Sequence, residues 1–485
     1  MSMNSYQGET RCRFLGTPGL RLAVAGALAA GFATMLARGA EAPKKPVPAP
    51  VPAPAPAAKP APQQPTSIYN LNNSPLQHNV TNNPFQKLTP GNSAPHPTAN
   101  YATQKFIPGA PVASRTFPGH PAPPGSSETP GRNGAVVRKS ADGAILDVHN
   151  PHTGMSVHHA LDGSRQISVE KPDHSRVYIP ARGIQYVQHP YQYQGHAMIN
   201  RTLVVNGQTF HQIYRPYTNG NTRLDVYATT RYFAPNFYQW AQTPFKGRQN
   251  FAWTYTSNSS PWYGHYRGYF TPEPAYDTPA LYLTDYMLAA TLYVAYATQD
   301  QAGEPAPANA APVTPAVKKA LADEVSRQIS SEAAEAQENA RNVEPSAASG
   351  AVTQTLSDHQ LHAFVVASAL DLVDSTGRRC SLSDGDVVNV SAALSTDSST
   401  VGAIVLSSKG GAECGPSAQV QVALEDAQEM QNHMRETLEQ GLANTKAAEQ
   451  AQSVTPAFAA AAPAADPNAA NEIRQQEQIA AATEG

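Results

Sequence analysis

The chain has 485 residues, 43 prolines and a formal net charge of −3. That proline load, laid out in long Ala/Pro tracts, argues against a chain folded from end to end. The small net charge conceals two halves of opposite sign: residues 1–300 carry 24 Lys and Arg against 13 Asp and Glu, and residues 301–485 carry 10 against 24. Such halves either attract each other or leave the basic one to meet an anionic polymer.

Arg11, Arg13 and Arg21 precede the apolar run Leu22–Leu36, and small residues follow it. This pattern of basic n-region, h-region and small-residue site reads as an export signal over residues 1–39, cut after Gly39. The run is shorter than the roughly 20 apolar residues of a membrane span, so membrane contact is expected only through an uncleaved signal. Export places the mature chain in the periplasm, the cell envelope or outside the cell. There its two cysteines, Cys380 and Cys414, are expected to form a disulfide.

Residues 40–133 read as spacer. PKKPVPAPVPAPAPAAKPAPQQP has the composition of a stiff polyproline II rod of roughly 70 Å at about 3.1 Å per residue, and the Asn/Pro/Ser/Gly-rich remainder lacks periodicity and reads as disordered. From about residue 134 short alternating runs recur between turn signals such as Asp142-Gly143 and Asp162-Gly163, and they continue past Asn206-Gly207 and Asn219-Gly220. The pattern predicts an antiparallel β-meander of about seven or eight strands. An aromatic, proline-broken stretch from Tyr232 to Pro279 follows, and PNFYQWAQTPF within it is expected to close the meander as irregular chain, with Phe237 and Phe245 inward and Tyr238 and Trp240 outward. Thr278-Pro279 is a helix start, opening a core helix with Leu281, Leu288, Leu292 and Ala295 on one stripe and ending the domain near residue 300.

Residues 301–350 read as a linker containing a helix capped by Thr314, with Val317, Leu321, Val325 and Ile329 in register. Residues 351–445 read as a small disulfide-linked β-barrel or sandwich followed by a helix carrying Ala427, Met430, Met434, Leu438 and Leu442. Residues 446–485 read as a disordered Ala-rich tail. The fold class is therefore mainly β with helices (α+β), with extensive disorder.

The sequence contains no HExxH, G-x-S-x-G, phosphate loop or EF-hand pattern, and no catalytic residue, cofactor or metal site is assigned. His149, His152, His158 and His159 lie in adjacent strand-turn units, but His158 and His159, as neighbours on a strand, point to opposite faces. Asp142 and Asp162 are explained by turn chemistry, and Asp277 by its place near a helix start. The strong signal is aromatic: 18 of the 21 tyrosines lie between Tyr178 and Tyr296, and all three tryptophans fall between residues 240 and 262. Tyr238, Trp240, Trp253 and Trp262, interleaved with Arg201, Arg215, Arg223, Arg231, Arg248 and Arg267, form the candidate binding set for a glycan or an anionic polymer; the alternative for these rings is mutual packing.

The runs YVQHPYQYQGHAMINRTLVVNGQTFHQIYRPY, NFYQWAQTPF, YFTPEPAYDTPALYLTDYMLAATL, VTPAVKKALADEVSRQI, FVVASALDLVD, CSLSDGDVV and QEMQNHMRETLEQGL together resemble a group of exported bacterial proteins of no established activity. The resemblance spans about 300 residues by arrangement and aromatic phrasing. It implies export and modular construction, and it brings no functional residue with it.

The expected function is that of a non-catalytic exported envelope protein, structural or binding wall polysaccharide or another anionic polymer, with no specific nucleic-acid recognition. One alternative is an envelope hydrolase or transferase whose site assembles from the histidine-bearing strands; it requires an exposed cleft with a histidine and a carboxylate in hydrogen-bond reach. Another is a scaffold that binds a protein partner through 314–340 and 424–445.

Overall fold

Turn chemistry sets the register of the first half of the chain. A computed structural model describes residue 68 and residues 122–251, 253–256, 260–298, 310–391, 399–445, 454–456 and 464–484; the expected signal peptide and most of the spacer lie outside these. Ten strands follow in order: β1 (Ser127–Pro130), β2 (Val136–Lys139), β3 (Ile145–Asn150), β4 (Met155–His159), β5 (Arg165–Glu170), β6 (Arg176–Ile179), β7 (Gln185–Tyr193), β8 (His196–Val205), β9 (Gln208–Asn219) and β10 (Thr222–Tyr227). Each pairs antiparallel with its sequence neighbours, giving an uninterrupted meander. Val205 pairs with Gln208 across Asn206-Gly207, both at positive φ, which is the type I′ hairpin the dipeptide predicts.

The second Asn-Gly behaves differently. Asn219 is the last residue of β9 and pairs with Thr222, so the loop is Gly220-Asn221 with positive φ at Gly220 alone, a type II′ turn. Gln194-Gly195, also both at positive φ, makes a further I′ turn between Tyr193 and His196 that the residue types did not announce. The strand number exceeds expectation because the Gln194-Gly195 turn divides 185–205 into two arms, β7 and β8, and because β1 forms at 127–130, inside the segment expected to be disordered. Ile68, also from that segment, is fully buried in the main core.

The sheet has two differently covered faces. Val148, Val157, Ile167, Val177 and Val187 lie on one face, closed by Ala469, Ile473 and Ala480 of the C-terminal helix α7 (Ala469–Glu484). The chain end expected as a disordered tail is therefore helical over 469–484, and β18 (Val454–Pro456) pairs with β11 (Arg231–Phe233). Three small or branched anchors spaced along an Ala-rich helix are a weak pattern to read in advance.

The opposite face meets α6 (Leu424–Ala443). PNFYQWAQ is not irregular: it forms α1 (Pro235–Gln242), because Pro235 at the first helical position fixes a helical φ and has no N–H to leave unpaired. After the short α2 (Pro261–Tyr266) come α3 (Pro279–Thr298) and α4 (Pro315–Ala340). Both begin as expected: the hydroxyl of Thr278 accepts from Leu281 N–H at 3.2 Å, and that of Thr314 from Val317 N–H at 3.3 Å. α3 is buried on nearly every side rather than along one stripe, as its apolar composition all round requires. No helix among the described residues is long and apolar enough to cross a membrane.

Past the single turn α5 (Val352–Thr355), strands β12 (His362–Val365), β15 (Val387–Ser391), β16 (Thr400–Ser407) and β17 (Gln419–Ala423) form a four-stranded antiparallel sheet, with β13 (Leu370–Val373) and β14 (Arg379–Leu382) as a separate hairpin. Cys380 on β14 and Cys414 in the loop before β17 form the expected disulfide. The stripes Val317, Leu321, Val325, Ile329 and Ala427, Met430, Met434, Leu438, Leu442 are all buried in one hydrophobic cluster. That cluster also takes Phe210 from the meander and Phe364, Val388 and Val405 from the smaller sheet.

Candidate functional site

The two halves of unlike charge meet where α6 crosses the meander. Arg201 on β8 lies between the rings of Tyr186 and Tyr214, with its guanidinium 4.1 and 4.0 Å from their centroids, and forks onto Glu429 of α6 at 2.8 and 3.0 Å. Further along α6, Glu436 accepts from Gln212, Asn432 bridges the backbone of Asp225 and Tyr227, and Glu439 accepts from Tyr227 and Thr230. Arg215 pairs with Glu344 at 3.2 Å. Arg201 and Arg215, counted in the candidate binding set, thus spend their charge inside the fold.

His158 is the histidine that does meet carboxylates. It faces the same side of the sheet as Asp147, donates to it from Nδ1 at 2.6 Å, and faces Asp371 of β13 from Nε2 at 3.2 Å. Arg138 pairs with Asp147 and Arg379 stands 3.7 Å from Asp371. Burial alone would push the imidazole pKa down, but the two carboxylates outweigh it and raise it to about 9. The opening here measures about 10 Å³, at most room for one water, and no Ser, Thr or Cys is among its lining residues. The arrangement ties the hairpin β13–β14 to the meander; it is not the exposed cleft that acid-base catalysis requires.

The aromatic segment is mostly core, and the four predicted rings are divided. Tyr238 is 2% exposed and Trp262 4% exposed, so neither offers a face to a ligand. Tyr238, expected outward, turns inward because it lies one position after Phe237 on a helix, where both fall on the side packed against α4 and α3. Trp240 and Trp253 are half-buried. Trp240 stacks on Phe237 at 5.3 Å and leans on Phe245 at 6.3 Å; Phe245 meets Phe251 at 6.0 Å, and Phe251 meets Tyr282 at 4.2 Å. Trp253 stacks on Tyr282 at 5.1 Å. The result is a shoulder of partly exposed rings, Trp240, Phe245, Phe251 and Trp253, running into the buried cluster.

Trp253 is also held by polar contacts. Its indole Nε1 donates to Tyr276 Oη at 2.8 Å, and that hydroxyl donates to Asp285 at 2.7 Å. Asp285 in turn pairs with Lys318 of α4 at 2.8 Å. Asp285 is fully buried, which raises its carboxyl pKa in spite of the lysine beside it. The relay and the stack on Tyr282 together hold the indole in place. Lys246, Arg248, Gln249 and Asn250 are exposed on the loop linking Phe245 to Phe251, and Arg248 is steadied by the Ala275 carbonyl at 2.8 Å and Asp277 at 3.4 Å. Phe245 and Phe251 join the set through this packing; their sequence signal, two phenylalanines bracketing a basic turn, is detectable but unspecific.

No protein-family model, curated protein or solved structure matches the chain.

Proposed function

We propose that the protein is a non-catalytic component of the cell envelope that binds a glycan or anionic polymer on the shoulder formed by Trp240, Phe245, Phe251 and Trp253. One observation carries the reading: half-buried rings, one of them fixed by a buried hydrogen-bond relay, flank a loop bearing Lys246 and Arg248. Aromatic faces stack on the apolar faces of sugar rings, and the loop cations and amides reach hydroxyl, carboxylate or sulfate groups. A fixed indole loses little entropy on binding, which favours recognition on a shallow surface.

The test titrates the full chain with chitohexaose as a neutral glycan and heparin as an anionic one, following tryptophan fluorescence. Trp253→Ala is expected to weaken binding of both at least about tenfold, roughly 1.4 kcal/mol. Lys246→Ala with Arg248→Ala is expected to affect heparin alone and to flatten its salt dependence. Trp240→Ala serves as the second ring variant, should Trp253→Ala disturb the core. A wild-type protein that responds to neither probe, or ring variants that bind as well as wild type, would overturn the proposal.

A further inference from the structure

On the sheet face covered by the C-terminal helix, three donor atoms from distant parts of the chain converge. His189 Nε2 on β7 lies 3.3 Å from Asp466 Oδ2 and 4.0 Å from Glu472 Oε2, and the three ligand atoms all fall within 4.8 Å of one another. Glu472 stands in the first turn of α7, and Asp466 lies three residues before that helix. The three side chains are half-buried.

Each of these residues is oriented through its other polar atom. His189 Nδ1 meets the Ser175 hydroxyl at 3.3 Å. Asp466 Oδ1 accepts the Asn468 N–H at 2.8 Å, and the backbone N–H of Asp466 donates to Thr202 Oγ1 at 2.8 Å. Glu472 Oε1 takes the Lys171 ammonium at 2.8 Å. What remains pointing inward is one imidazole nitrogen and one oxygen from each carboxylate. Outer contacts of this kind fix the ring orientation and ligand geometry of metal sites.

We propose that His189, Asp466 and Glu472 form a binding site for a divalent transition metal, zinc being the best fit, which clamps the C-terminal helix to the meander. Zinc takes nitrogen and oxygen donors at about 2.0–2.2 Å, which places neighbouring ligands of a tetrahedron about 3.3 Å apart. The His189–Asp466 separation already has that value, and Glu472 needs only a small side-chain movement. Three protein ligands leave a fourth position for water on the open side. The imidazole disfavours magnesium and calcium, which prefer all-oxygen sets. The sequence separation explains the purpose: β7 and α7 are almost 280 residues apart, and beyond Ala469, Ile473 and Ala480 the helix has few apolar anchors. Metal binding therefore couples directly to helix docking.

The full chain, stripped with a chelator and dialysed, is titrated with zinc chloride by calorimetry, and exchange of the amides of 469–484 is followed with and without metal. Wild type is expected to show one tight site per chain and at least tenfold slower exchange of that helix with zinc bound. His189→Gln is expected to lose the tight site and the added protection, and Glu472→Gln, which keeps the side chain's size and one acceptor oxygen for Lys171 but removes the anionic donor, is expected to weaken both at least tenfold. Magnesium chloride at millimolar concentration should not compete. Equal zinc affinity in wild type and both variants, unchanged helix exchange on zinc addition, or displacement of zinc by magnesium would each overturn the proposal. The outcome is independent of the glycan titrations, since none of these residues belongs to the aromatic shoulder.

Discussion

Replacing Glu335 with alanine is expected to lower the free energy of unfolding by about 3–5 kcal/mol, measured by urea denaturation at pH 7. Glu335 on α4 pairs with Arg435 on α6 at 2.7 Å, and both side chains are almost completely buried. The carboxylate also accepts from Tyr232 Oη at 2.9 Å and Ser349 Oγ at 2.7 Å, so one group joins α4, α6, β11 and the turn before α5. Burial works against its ionisation, but Arg435 and these hydrogen bonds prevail and hold the Glu335 carboxyl below its usual range. Removing it strands a guanidinium away from water. Glu332, one turn earlier, is fully buried, and neither of its oxygens has a hydrogen-bond partner among the described residues. Burial pushes its carboxyl pKa up, against the pull of Arg435. In the Glu335→Ala protein Glu332, which interacts electrostatically with Arg435, is expected to ionise against the guanidinium and offset part of the loss. Glu332→Gln alone is therefore expected to change stability by less than about 1 kcal/mol, whereas the double variant falls below Glu335→Ala. Additive single effects would show that Glu332 takes no part, and a loss under about 1 kcal/mol for Glu335→Ala would show that Arg435 finds water or another partner.

What the sequence makes legible follows from the range of each interaction. The hairpin at Asn206-Gly207 follows from that pair, and the starts of α3 and α4 from Thr-Pro, because these signals act within a few residues. The disulfide follows from having two cysteines in the chain beyond the expected signal. The helical state of PNFYQWAQ was hidden because its aromatic content and flanking prolines suggested broken chain, while Pro235 in fact supplies the helix start. The opposite charges of the two halves are visible as composition, but the pairs that use them, such as Arg201 with Glu429 and Arg215 with Glu344, join residues far apart in the chain. No local rule assigns such partners. For the same reason Tyr238 and Trp262 offer no face to a ligand although their residue types suit one: burial is decided by what packs over them. Part of the charge asymmetry is answered inside the fold, by Arg201 with Glu429 and Arg215 with Glu344, while Lys246 and Arg248 are exposed cations on the loop beside the shoulder.

The second large effect is expected on raising the pH. In the folded chain His158 titrates at about 9, against about 6.5 for a free histidine. Protonated, it answers Asp147 and Asp371 together; Arg138 and Arg379 face the same carboxylates from β2 and β14, and Leu161 N–H donates to Asp371 at 2.8 Å. A pKa raised on folding means that the stabilisation is fully present below about pH 6.5 and is lost as the pH rises through 9. The shift corresponds to about 3 kcal/mol. Asp384 and Asp426, pushed up by burial to about 6 and about 7, also lower stability as they ionise, but they do so below pH 7 and fall outside most of this window. The wild-type melting temperature is therefore expected to decline between pH 7 and 9.5, and amides of β13 and β14 to exchange faster at the alkaline end, because Asp371 then loses the cation that ties this hairpin to the meander. His158→Gln keeps a hydrogen-bond donor without a titrating group, so it should start less stable at pH 6.5 and lose the alkaline step. Parallel pH profiles for the two proteins would mean that the decline comes from other groups and that the hairpin is held by packing and the Cys380–Cys414 bridge alone.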